Sequence, residues 1–146
     1  MGKLEASVLI NRPIEDIFAF LNTPENHARF IPGMREFKKT SPGSLGQVGA
    51  RARGVRQDFG RKTEVLYEIT ACEPNTKLEM KGAMGPVLFE DGYALDSRGD
   101  KTLVKFWLEL TLTGLSKLAQ PFAFLVGKTH AAETLANLKK VLESTR

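Results

Sequence analysis

Residues 101–144, KTLVKFWLELTLTGLSKLAQPFAFLVGKTHAAETLANLKKVLES, change their hydrophobic period at Gly114. Before the glycine, Val104, Phe106, Leu108, Leu110 and Leu112 alternate with Leu103, Lys105, Trp107, Glu109 and Thr111. The first set is wholly apolar, the pattern of a strand with one face on a core. After the glycine, Ala131, Leu135, Leu138 and Leu142 recur at helical spacing, with Glu133, Asn137, Lys140 and Glu143 on other sides. Leu115–Ser144 therefore reads as one long helix that follows directly on a long strand.

The period of two extends back from this junction to Met34. MREFKKT (34–40), VGARARGVRQDF (48–59), KTEVLYEITA (62–71), KLEMKGAM (77–84), VLFEDGYALD (87–96) and KTLVKFWLELTLT (101–113) read as six strands. Their separators, SPGSLG, Gly60, CEPNT, GP and SRGD, carry turn chemistry. Connections this short make successive strands antiparallel neighbours. KLEASVLI (3–10) adds a seventh strand, and two short helices follow it. In the first, Pro13 opens, Glu15 and Asp16 suit the N-terminal dipole, and Ile14, Ile17, Phe18 and Leu21 make an apolar stripe. In the second, Thr23 caps, Pro24 opens, and Pro32-Gly33 closes the phrase.

Strand, two short helices, six strands and a long helix define an α+β domain spanning residues 1–146. A seven-stranded antiparallel sheet must curl, and the terminal helix is long enough to lie across its concave face. The chain has 146 residues, 42% hydrophobic and 26% charged, with 21 basic and 17 acidic side chains giving +4. Those values fit a soluble globular protein and a single core. No apolar run reaches the roughly 20 residues of a membrane span. MGKLEASVLINRP is too polar for a secretory signal and MGKLEA lacks the hydroxyl residue of a myristoylation site. The one cysteine, Cys72, excludes an internal disulfide and fits a cytoplasmic location.

INRPIEDIFAFLNTPENHARFIPG (10–33), VGARARG (48–54), YEITACEPNTKLEM (67–80) and AAETLANLKKVLE (131–143) together resemble the START-like, helix-grip superfamily. The nearest group is the polyketide cyclase/dehydrase-like proteins. The resemblance implies a sheet gripping the C-terminal helix around an apolar cavity for a lipid, polyketide, quinone or other ring-bearing molecule. It does not imply one activity, because the superfamily holds carriers, enzymes and ligand sensors. Phe30 stands where a tryptophan is common. Ala50, Ala52 and Gly54 are small where bulky side chains are common, which predicts unfilled volume and a larger cavity.

Alternation gives the inner face: Val65, Tyr67, Ile69 and Ala71; Leu78, Met80, Gly82 and Met84; Val87, Phe89, Asp91, Tyr93 and Leu95; and the set from Val104 to Leu112. Asp91 is the anomaly, since an unpaired buried carboxylate is costly. If Ala50, Ala52 and Gly54 face inward, so do Arg56 and Asp58, and Arg56 and Asp91 either pair or present a polar patch inside an apolar cavity. Alternatively, a bulge near Gly92 turns Asp91 out to water. Tyr67 and Tyr93 either offer hydroxyls to a ligand or reach water at a rim. In QPFAFLVGKTH (120–130), Phe124 shares the face of Ala131, Leu135 and Leu138. Phe122, Leu125 and Val126 point elsewhere and need a dry neighbour: the cavity mouth, the short helices or a second subunit in a homodimer. The expected ligand-contacting residues are thus Arg56, Asp58, Tyr67, Phe89, Asp91, Tyr93, Phe106, Phe122, Phe124 and Leu125.

No zinc-ligand spacing, nucleophile elbow, phosphate loop or dinucleotide fingerprint occurs, so neither metal nor cofactor is expected. His27 reads as a surface residue and His130 as a solvated or rim residue. Asp91 is the catalytic candidate, since an apolar site raises a carboxyl pKa towards neutrality and suits cyclisation or dehydration. Arg51, Arg53, Arg56, Arg61 and Lys62 share one hairpin. With only Phe59 as a stacking ring, nucleic acid is not expected there, whereas an anionic membrane surface is physically compatible. Three functions fit: a carrier of a hydrophobic small molecule, a cyclase- or dehydratase-like enzyme, and a lipid or quinone chaperone that docks on membranes.

Overall fold

The computed structural model describes residues 3–42, 46–58 and 60–144. Met1 and Gly2 of the myristoylation reading, the centre of the SPGSLG turn, and Phe59 lie outside them. Among the described residues seven strands form one antiparallel sheet in the order β1-β7-β6-β5-β4-β3-β2. They are β1 (Leu4–Ile10), β2 (Met34–Lys39), β3 (Arg51–Asp58), β4 (Arg61–Glu73), β5 (Lys77–Met84), β6 (Val87–Arg98) and β7 (Lys101–Leu112). Helix α1 (Ile14–Leu21) and a 3₁₀ turn (Pro24–Arg29) lie between β1 and β2, and α2 (Gln120–Ser144) closes the chain. Among the described residues the two edge strands, β1 and β2, share the hydrophobic core without pairing with each other. The α+β helix-grip architecture expected from the sequence is the one observed.

The register explains the inner face. Tyr67 sits opposite Gly82, and Gly82 opposite Phe89. A Cβ on Gly82 would come within 2.0 Å of the Leu66 carbonyl oxygen and 2.6 Å of the Phe89 ring. Glycine there lets the Tyr67 and Phe89 rings meet edge-on at 5.3 Å from strands either side of β5. A register shift between Ile69 and Ala71 corrects the alternation of β4: Ala71 then pairs with Glu79 and Cys72 with Leu78. One extra residue exchanges the two faces, so beyond it Cys72 shares the inner row and Ala71 does not.

The terminal helix differs from expectation at its start. Gly114–Ala119 is a 3₁₀ segment, and the α-helix begins at Gln120. Pro121 has no N–H to donate back into a preceding turn, so it serves as a helix opener and not as an interior residue. The Gln120 side chain fastens this end to the sheet: its Nε2 donates to the Leu110 carbonyl at 2.9 Å, and its Oε1 accepts from Leu112 N at 3.0 Å. The far end is held by Arg12 Nε donating to the Leu142 carbonyl at 2.9 Å and Lys139 Nζ donating to the Leu9 carbonyl at 2.6 Å. Asn137 Nδ2 donates to the Phe30 carbonyl at 3.0 Å and ties the helix to the 3₁₀ turn. Ala131, Leu135, Leu138 and Leu142 are buried against the sheet, as their spacing predicts.

His27 corrects the surface reading. It is fully buried, stacked on Phe37 with ring centroids 4.6 Å apart and beside Phe30 and Tyr93. Its Nε2 lies 2.6 Å from the Leu21 carbonyl, so this nitrogen carries the proton, while Nδ1 has no partner. Burial pushes the ring pKa down to about 4. The helix-opening pattern around Pro24 carried no sign that the 3₁₀ turn points this ring into the core.

Candidate ligand cavity

Between α2 and the inner face of the sheet lies a cavity of about 140 Å³. Its walls are Val65, Tyr67 and Phe89 on one side, Tyr93, Phe106, Leu108 and Leu110 on another, and Val126, Gly127, His130 and Thr134 from the helix. Gly127 is the first buried residue of α2. A Cβ there would stand 2.6 Å from Leu4 Cδ1 and 3.0 Å from Leu110 Cδ1, so glycine is what lets the helix close on β1 and β7. Four of the expected residues, Tyr67, Phe89, Tyr93 and Phe106, line this one space.

Asp91 lines it too. Pairing runs unbroken through Glu79–Gly92 and Gly92–Trp107, so no bulge turns the carboxyl outward. Its strand neighbours in register are Met80 and Leu108, both buried and apolar. Gly92 has another role: Trp107 covers it on the outer face, where a Cβ would meet the indole nitrogen at 2.6 Å. The Asp91 Oδ1 atom is buried without a hydrogen-bond partner. Desolvation pushes the carboxyl pKa up to about 7, which leaves it half-ionised at neutral pH. Burial, with the Asp91 charge adding to it, raises the Tyr67 and Tyr93 phenols, so both stay protonated.

The expected Arg56–Asp91 pair is not formed. Arg56 reaches the cavity but its guanidinium is engaged by Asp58, with Nε–Oδ2 at 3.1 Å and Nη2–Oδ1 at 3.3 Å. Asp58 therefore holds Arg56 and does not itself line the cavity. The competing carboxylate lies two residues along the same strand face, which the period of two contains but does not rank. His130 stands in the lining, and burial followed by the Arg56 charge lowers its pKa to about 4. It is a neutral cavity ring, more enclosed than the solvated residue its neighbour Lys128 suggested.

Phe122, Phe124 and Leu125 are corrections. Phe122 and Leu125 are well exposed, and neither they nor Phe124 line the cavity. Phe124 shares the helix face predicted for it, but it precedes the point where α2 meets the sheet and keeps 37% of its surface exposed. Helical spacing gives a side, and it does not say where along the helix the partner begins. Val126, one turn beyond Phe122, is both half-exposed and part of the lining, which marks the mouth. The volume expected above Gly54 is also taken up: a Cβ there would meet Met34 Sδ at 2.8 Å and the Tyr67 ring at 3.3 Å.

A wider hollow of about 730 Å³ lies mainly on the opposite face, walled by Leu66, Glu68, Lys81, Leu88, Glu90 and Glu109. Its long charged walls and exposed Leu66 and Leu88 make it an open saddle. The inner cavity, smaller and holding the buried, unpartnered Asp91 Oδ1 among aromatic side chains, is the better candidate site.

The chain belongs to the polyketide cyclase / dehydrase and lipid transport family, whose model matches residues 1–143. Its fold is similar to that of a protein from Thermus thermophilus, at 17% identity and a TM-score of 0.81 over 99% of this chain and 100% of that one. It is also similar to the Zhui aromatase/cyclase from a Streptomyces species, at 10% identity and a TM-score of 0.80 over 97% and 93%. A START superfamily protein from Mycobacterium smegmatis matches at 17% identity and a TM-score of 0.75 over 97% and 94%. No curated protein matches the sequence.

Proposed function

We propose that the cavity binds a compact, ring-bearing apolar molecule and that Asp91 anchors the molecule's polar group. The observation that carries this reading is the unpartnered Asp91 Oδ1 in a space walled by Tyr67, Phe89, Tyr93 and Phe106. An internal carboxyl without a partner costs stability, and a ligand hydroxyl or N–H donating to it would offset that cost. The size, about 140 Å³, matches a single small ring, since an apolar cavity of roughly 150 Å³ accepts benzene. Anything larger requires α2 to move at its Val126 end.

A second reading uses the same carboxyl as a proton carrier in a cyclisation or dehydration. It is favoured by a pKa of about 7, where Asp91 both accepts and returns a proton at neutral pH. Asp91→Asn separates the two, since it keeps shape and removes the proton chemistry. Under the enzyme reading the variant retains affinity and loses turnover.

Binding itself is tested by titrating phenol and following the backbone amide NMR signals of Tyr93, Phe106 and Thr134. Saturable shifts are expected for the native chain. Val87→Trp, which places an indole at a partly exposed position of the lining, is expected to weaken binding at least tenfold without lowering the melting temperature. Equal affinity in the two proteins would mean that phenol binds elsewhere.

A further inference from the structure

We infer that the end of the molecule where the cavity opens is a docking surface for an anionic lipid membrane. The inference stands independently of what the cavity holds. Leu115, Leu118, Phe122 and Leu125 are spaced three and four apart across the 3₁₀ segment and the first turns of α2. They are 91%, 88%, 68% and 63% exposed. The stripe lies on the side of α2 away from the buried Gly127, Ala131, Leu135 and Leu138. On the same outward side further along, exposed Glu133 and Lys140 replace it, as solvent requires. A helix whose outer face turns from polar to apolar only over its first turns has a local, apolar neighbour.

Charge identifies that neighbour. Residues 114–132 contain Lys117 and Lys128 and no acidic residue. The register places further cations at the same end of the molecule: β3 ends at Asp58, β4 begins at Arg61, β5 ends at Met84, β6 begins at Val87 and β7 ends at Leu112, all at one end of the sheet. Exposed Arg61 and Lys62 on the β3–β4 hairpin thus share this end with the apolar stripe. The acids nearest the hairpin turn are already engaged, Asp58 by Arg56 and Glu64 by Arg53. Among the described residues Arg61, Lys62, Lys117 and Lys128 have no ion-pair partner. Projecting leucines and a phenylalanine flanked by free cations match acyl chains beneath anionic headgroups, with each cation near the surface contributing about fivefold in affinity. A second copy of this chain would place the four cations against their own duplicates, which disfavours a symmetric pairing on this end.

The test is sedimentation of the full chain with phosphatidylcholine vesicles, with and without about 30% phosphatidylglycerol. The native chain is expected to partition onto the anionic vesicles at least tenfold better than onto neutral ones, and to lose most of that advantage at about 500 mM salt. Phe122→Ser with Leu125→Ser, and separately Lys117→Glu with Lys128→Glu, are each expected to reduce partitioning at least tenfold. All four positions are exposed, so unchanged melting temperatures verify the fold. Absence of vesicle binding by the native chain, or equal binding by the serine pair, overturns the inference. So does a concentration-dependent dimer in analytical ultracentrifugation that the serine pair abolishes while vesicles leave the native chain in solution.

Discussion

Asp91→Asn is expected to gain stability relative to the native chain as pH rises, the gap widening by roughly 2 to 3 kcal/mol between pH 5 and pH 8 in urea denaturation. The carboxyl pKa rises from 3.8 to about 7 on folding because desolvation penalises the charged form, with Oδ1 buried and unpartnered on a side chain that otherwise keeps some exposure. The unfolded chain therefore gives up its proton at lower pH than the folded chain. Between these values the folded state binds more protons, so native stability falls as pH rises and levels off above about 7. Roughly three pKa steps correspond to about 4 kcal/mol over the full range, of which the two above pH 5 are accessible to the experiment. Asparagine has the same shape and no charge to bury. A gap that stays constant with pH would mean that the Asp91 carboxylate is solvated or paired in the folded chain. A carboxyl held at such a cost is a feature of a binding or reacting site more than of a packed core.

The second large effect has the opposite sign and belongs to His27. Its ring is neutral and fully buried, with a pKa lowered from 6.5 to about 4. Below pH 6.5 the unfolded chain takes up a proton that the folded chain refuses, so stability drops on acidification and flattens only near pH 4. The native chain is expected to lose roughly 2 to 3 kcal/mol from this residue between pH 7 and pH 4.5, a loss that His27→Gln removes. Comparing the two proteins by urea denaturation at both pH values reads this directly. Parallel loss in both would place the acid sensitivity elsewhere. His130, also lowered to about 4, adds to the same trend, while Asp91 opposes it over the same range. The native profile near pH 5 therefore combines two protons refused with one retained.

The fold was legible because strand alternation and the period change at Gly114 are strong, redundant signals. Six alternating segments joined by short turns leave one order for β2 to β7, and the buried positions Ala131, Leu135, Leu138 and Leu142 lie where their spacing put them. The wall of the site was legible for the same reason at Tyr67, Phe89, Tyr93 and Phe106, whereas at Asp91 alternation left an inward carboxyl and an outward bulge both open. What alternation cannot rank is competition between partners. Arg56 had two carboxylates within its reach on paper, and the nearer Asp58 holds it. Nor does it locate a single-residue slip, which at Ile69–Ala71 exchanged Ala71 for Cys72. The helix start was misplaced because Pro121 fits either a loosened helix interior or a first turn, and only the Gln120 contacts with β7 decide. His27 was unreadable from a single sequence, since a short 3₁₀ turn has too few residues to show a face.

Calorimetric titration of phenol and of benzene at pH 8, into the native chain and into Asp91→Leu, tests the proposed site most directly. The native chain is predicted to bind both saturably at one site and to prefer phenol by roughly ten- to a hundredfold, the range of a hydrogen bond to a charged acceptor. In Asp91→Leu the preference is predicted to vanish while benzene still binds. No saturable binding of either ring, or a phenol preference that survives the substitution, would contradict the account.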